Sequence, residues 1–77
     1  MMSAKEVCRL EAEMLIRLLN NITPRERGSF ITKVTKLAGL PRRNWYNWQY
    51  AHSRIPMHAK LIIEEQAQCH VFDYIEE

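Results

Sequence analysis

A chain of 77 residues, 47% hydrophobic and 26% charged, with only two glycines and three prolines, has the make-up of one small globular domain and not of a disordered segment. No run approaches the roughly 18 apolar residues of a membrane span, and the N-terminus, MMSAKEVCRLEAEM, is charged throughout where a secretory leader needs an apolar core. The net charge of +2 conceals a basic middle: residues 24–60 hold eight Lys or Arg against the single acid Glu26, whereas residues 61–77 hold five acids and no Lys or Arg, an asymmetry that suits a polyanionic partner for the middle.

Ser3 and Glu6 form an S-x-x-E capping box, which predicts a helix from Ala4. Val7, Leu10, Met14, Leu18 and Ile22, widened by Leu15 and Leu19, make one apolar stripe that ends near Asn20-Asn21. Thr23-Pro24-Arg25-Glu26 signals a second start, with Thr as cap, Pro in the first turn and Glu completing the box. Gly28-Ser29 predicts a break or kink, after which Phe30, Val34 and Leu37, beside Ile31 and Ala38, mark the buried face. Arg25 and Arg27 read as solvated.

Gly39 stands where a helix end takes a left-handed residue, and Leu40 can fold back onto that end. Pro41 opens a third helix of about 41–51. Trp45, Trp48 and His52 share its inner face, and Arg42 or Arg43, Tyr46 or Asn47, and Tyr50 share the outer one. Pro56 opens a fourth helix with Ala59, Ile62, Ile63 and Ala67 facing inward. The final CHVFDYIEE extends that helix or forms a short strand. The composition, poor in breakers and rich in Leu, Ile, Ala, Glu, Lys and Arg, predicts an all-α fold of four to five helices.

The stretch KLAGLPRRNWYNWQYAHSRIP, residues 36–56, concentrates both tryptophans, two of the three tyrosines and three arginines. A helix, a tight Gly turn and a helix with a polar, basic outer face make a helix-turn-helix pattern over about residues 29–52. The turn lets the helices cross, the first props the second, and the second offers its N-terminal turns to a major groove about 12 Å wide.

From Ile31 to Glu65 the chain resembles the small Cro/repressor-type helix-turn-helix proteins of phages and prophages. The resemblance rests on Val34 and Leu37 in the supporting helix, Gly39-Leu40 in the turn and Trp45 and Trp48 at the family's buried positions. Asn47-Trp48 is similar to the SxW or NW found there, and RIPMHAKLIIEE looks like its IP…A…LE stretch. The chain departs from the pattern at Thr35, where Ala is usual, at Ile31, where Gln is frequent, and at Trp45, which replaces a smaller branched residue. The long first helix, RLEAEMLIRLL, is similar to that of lambda-type lysogeny activators, which share this core.

The resemblance implies a sequence-specific, double-stranded-DNA-binding transcriptional regulator. Arg42, Arg43, Tyr46, Asn47 and Tyr50 are then the base-contacting residues, with Arg on guanine and Asn on adenine. Ser29, Lys33, Lys36, Arg54 and Lys60 are the phosphate contacts. A single small domain reads few base pairs, so a homodimer is expected, with the Val71–Ile75 part of tail 70–77 and exposed parts of helix 1 as candidate contacts. The acidic tail has the alternative role of discouraging contact with the DNA backbone.

Other chemistries find little support. His52, His58, His70, Cys8 and Cys69 include no CxxC or HxxxH pair, so no metal is expected. No glycine-rich phosphate loop or orienting nucleophile motif points to an enzyme, a cofactor or a small-molecule ligand. The cysteines read as free, buried small hydrophobes in a reducing cytoplasm, and Glu64-Glu65 and Glu76-Glu77 as surface charge. The competing function is a helical protein-interaction module, a phage-encoded adaptor or inhibitor, that buries Tyr46 and Tyr50 against a protein partner.

Overall fold

The computed structural model describes residues 3–72. Among them are four helices and no strand: α1 (Ala4–Asn20), α2 (Pro24–Ala38), α3 (Arg42–Gln49) and α4 (Met57–Ala67). The chain is therefore all-α. α2 packs on α4 and α3, and α1 packs on α3.

The capping box forms as expected. The Glu6 N–H donates to Ser3 Oγ, and the Ser3 N–H donates back to the Glu6 carboxylate. α1 buries Val7, Cys8, Glu11, Ala12, Leu15, Leu18 and Leu19, an i, i+3, i+4 stripe that covers the core. Its C-terminus is closed from outside: Arg27 Nε donates to the carbonyls of Leu19 and Ile22 at 2.7 and 3.0 Å. Arg27 is thus a half-buried cap between α1 and α2 and not a solvated side chain. A guanidinium is well suited to the negative end of a helix.

α2 runs unbroken through Gly28-Ser29, where a break or kink was expected. The helical glycine costs about 1 kcal/mol, and burial of Ile31 and Val34 just beyond it offsets that cost. The expected Thr23 side-chain cap does not form; the Thr23 carbonyl accepts from the Glu26 and Arg27 N–H groups instead. The buried face is Ile31, Val34 and Thr35, so Leu37 lies 54% exposed instead of inside. The buried Thr35 hydroxyl donates back to the carbonyls of Ile31 and Thr32 at 2.9 and 3.2 Å, so burial does not leave it unsatisfied.

The core gathers Leu15, Leu18, Leu19, Ile31, Val34, Trp45, Trp48, Ile55, Ala59, Ile63 and Phe72. α4 contributes Ala59 and Ile63 fully, with Ile62 and Ala67 half-buried. It ends at Gln68, which adopts a left-handed conformation (φ 58°). Residues 69–72 neither extend the helix nor form a strand. Glu64 holds them: its Oε2 accepts from the Val71 and Phe72 N–H groups, both at 3.0 Å, and lies 3.3 Å from His70 Nδ1. Glu64 is therefore a structural latch and not mere surface charge. The Phe72 N–H bond, then that of Val71, with the charges of His70 and Lys60, lowers its pKa against a smaller opposing effect of burial. Phe72 is buried under the Lys60 ammonium, and Val71 is half-buried against the core. This part of the expected dimer tail is covered by its own chain, and residues 73–77 lie outside the described residues. Cys8 is buried as expected, but Cys69 is exposed.

Glu11 is the charged group at the centre. It is fully buried and accepts from the Ile55 N–H at 3.0 Å, from Arg54 Nη2 at 3.1 Å and from Lys60 Nζ at 2.5 Å. One carboxylate thus ties α1 to the α3–α4 connection and to α4. Burial alone would raise its pKa; the Lys60, Ile55 and Arg54 hydrogen bonds and the Lys60 charge together outweigh burial and lower it.

Glu11→Gln, which leaves two cations without an anion, is expected to cost about 3–5 kcal/mol, read as a lower denaturation midpoint in urea. Because the folded-state pKa is depressed, the contribution of Glu11 is present above the ordinary carboxylate value of 4.5 and fades as pH falls through the folded value. A urea series from pH 7 down to pH 3 is expected to show that acid limb in the wild type and a flatter one in Glu11→Gln.

Candidate nucleic-acid interface

The turn between α2 and α3 is set by one glycine. Gly39 takes φ 71°, ψ 29°, and its N–H donates to the Lys36 carbonyl while the Leu40 N–H donates to that of Thr35. This 5→2 and 6→1 pair is the Schellman closure, and Leu40 packs half-buried on the core. Pro41 is the N-cap of α3, with φ −70° and ψ 154°; its carbonyl receives the Asn44 N–H at 3.0 Å.

α3 divides sharply. Trp45 and Trp48 are 0% and 2% exposed. Phe30 of α2 meets Trp45 edge-on with ring centroids 6.1 Å apart, and Trp45 Nε1 donates to Gln49 Oε1 at 3.1 Å. The bulky indole is accommodated by this edge contact, and its one polar atom is satisfied. On the other side Arg42, Arg43, Tyr46 and Asn47 are all exposed.

Tyr50 is exposed too, but outside the helix, which ends at Gln49 and not at Ala51. Ala51 adopts φ 63°, its N–H donates to the Trp48 carbonyl, and the His52 N–H donates to that of Asn47 at 2.7 Å. This is a second Schellman closure, with alanine where glycine is usual. It turns His52 to solvent, 6.4 Å from the Tyr50 ring, away from the indole face on which it was expected.

The phosphate candidates separate into two groups. Ser29, Lys33 and Lys36 are exposed on α2. Lys60 is buried against Glu11, and Arg54 spends a guanidinium nitrogen on the same carboxylate. Both are thus tied to an interior carboxylate, Lys60 almost wholly buried and Arg54 with 30% of its side chain exposed, where free outward-facing phosphate contacts were expected. Conversely, Thr32 on α2 joins the face: its Oγ1 accepts from Arg42 Nη1 at 2.6 Å. Residue pattern gave no signal for that bond, since it depends on how α2 and α3 cross. α2 and α3 thus carry exposed Lys33, Lys36, Arg42 and Arg43, the two helices being linked by the Arg42–Thr32 bond, with no acidic residue anywhere between Glu26 and Glu64 in the chain.

Among the described residues no group of three or more His, Cys, Asp or Glu could hold a metal ion, and no helix is long and apolar enough to cross a membrane. No family model, no curated protein and no solved structure matches the chain.

The left-handed closures at Gly39 and Ala51 make opposite predictions. Gly39→Ala places a Cβ on a φ of 71° and is expected to cost about 1–2 kcal/mol. Ala51→Gly relieves the same strain and is expected to add up to about 1 kcal/mol. Thermal melts of both variants, followed by circular dichroism, check the signs.

Proposed function

We propose that the chain is a Cro/repressor-like helix-turn-helix domain that binds double-stranded DNA sequence-specifically and regulates transcription. The observation that carries this reading is the division of α3: both indoles lie behind the helix while Arg42, Arg43, Tyr46 and Asn47 are displayed in front. Structural need accounts for the indoles but not for four exposed polar side chains flanked by the lysines of α2.

A helix of this kind fits a major groove about 12 Å wide. Arg43 can offer a two-donor fork to guanine O6 and N7, and Asn47 can pair with adenine N6 and N7. Tyr46 and Tyr50 flank them with a hydroxyl for phosphate and a ring for a thymine methyl. Ser29, Lys33 and Lys36 suit the phosphate backbone, which the supporting helix crosses in this class of domain. We further propose that it acts as a homodimer, with half-sites roughly 34 Å apart. With Val71 and Phe72 committed to their own core, the exposed aliphatic side chains available for self-association among the described residues are Leu10 and Ile16 on α1, Leu37 on α2, and Met57 and Leu61 on α4.

The competing reading is a module whose partner is a protein. It draws on Tyr50, 63% exposed beside Tyr46. It predicts weak DNA binding with little response to salt.

Fluorescence anisotropy with a labelled duplex separates the two. DNA binding is expected to weaken steeply with salt, at a log–log slope of roughly three per protomer if two lysines and one arginine meet phosphates. Arg43→Ala is expected to cost about 1–3 kcal/mol on the preferred site and to relax preference at one base pair. An unchanged affinity and preference would refute this orientation of α3.

A further inference from the structure

Arg42 differs from the other cations of the face because its guanidinium is already engaged. Nη1 donates to Thr32 Oγ1 at 2.6 Å, Nε donates to Tyr46 Oη at 3.3 Å, and Cζ lies 5.9 Å from the Tyr46 ring centroid. The remaining nitrogen, Nη2, lies beside Gly28, where an added Cβ would come within 3.8 Å of it. Arg43, one residue on, is exposed and makes no such bond among the described residues.

Reading guanine takes two parallel donors, one for O6 and one for N7. With Nε committed to Tyr46, the side-on fork of Nε and Nη2 is spent, and the end-on pair of Nη1 and Nη2 is held at the angle that the Thr32 bond sets, so Arg42 cannot turn to match a base edge without releasing one of those bonds. A phosphate oxygen asks for less: one N–H and a nearby positive charge. Holding the side chain in place beforehand also reduces the rotamer entropy lost on binding. The tether runs to α2, the helix that crosses the DNA backbone in a helix-turn-helix complex.

We infer that Arg42 is a backbone-phosphate contact and not a base reader, and that Thr32 and Tyr46 are the positioning residues that aim it across the α2–α3 seam. This rests on the DNA-binding reading above. It leaves Arg43 and Asn47 as the residues that read bases by hydrogen bonds.

Selection of bound sites from random duplex by the wild type, Arg42→Ala and Arg43→Ala, followed by salt titrations on the selected site, tests the inference. Arg42→Ala is expected to select the same sequence as the wild type. It should weaken binding to selected and unselected duplex by the same factor, about tenfold to a hundredfold, and lower the salt slope by about 0.9 per protomer. Thr32→Val removes the hydroxyl at nearly constant volume. It should weaken binding in the wild-type background and add nothing once Arg42 is alanine, with circular dichroism melts verifying that each variant is folded.

A changed base preference in Arg42→Ala, or a Thr32→Val effect that adds in full to that of Arg42→Ala, overturns the inference and leaves the DNA reading standing. A folded wild type that binds no duplex overturns both.

Discussion

The structure depends on two indoles. An eight-residue helix has no appreciable stability of its own in water, so α3 exists because Trp45 and Trp48 pull it into the core. Phe30 on α2 and the side chains of α1 form the walls they fill. Once those two positions are spent on anchoring, the intervening and preceding residues must point away. The outer face is therefore a geometric consequence of the inner one: Arg42, Arg43, Tyr46 and Asn47 are held at fixed angles because the indoles cannot rotate. A side chain needs such a mounting if it is to meet a base edge rather than sample many directions.

Charge is sorted by the same economy of positions. Between Glu26 and Glu64 the chain is entirely without acids, yet its cations do not all reach the surface. Arg27 closes α1, while Arg54 and Lys60 converge on the buried Glu11. What remains exposed from that stretch is Lys33, Lys36, Arg42 and Arg43, all on α2 and α3. The buried carboxylate thus does two jobs. It fastens α1 to the connection that follows α3, and it pairs with two of the cations of this stretch, so that the fully exposed Lys and Arg side chains left are those of α2 and α3. Glu64 performs a smaller version of the first task by turning the backbone of residues 71–72 back onto α4.

Much of this was legible in the residues, where local rules decide the outcome. The Ser3–Glu6 box, the glycine closure at Gly39, the burial of both tryptophans and the exposure of the polar α3 side chains follow from capping, backbone freedom and helical periodicity. What escaped depended on tertiary context. Gly28 looked like a breaker, but packing of Ile31 and Val34 outweighs its propensity. Ala51 and Gln68 carry no sign that they adopt left-handed conformations; neighbouring contacts impose that. Glu11 carries no local mark of its role, because its partners lie 43 residues or more away. The same distance hid the fate of Arg54 and Lys60, and the bond from Arg42 to Thr32 required knowing how two helices cross. Periodicity gave faces, but it could not give pairings between elements.

Titration of the isotopically labelled protein with a short duplex, followed through its amide and indole resonances by NMR, tests the role of α3 most directly. If α3 enters the groove with its indoles behind it, the amides of Arg42 to Asn47 and the exposed positions of α2 shift, and the Trp45 and Trp48 indole N–H signals stay close to their free positions. Shifts that leave α3 untouched, or that gather instead around Met14 and Cys69, would contradict that placement.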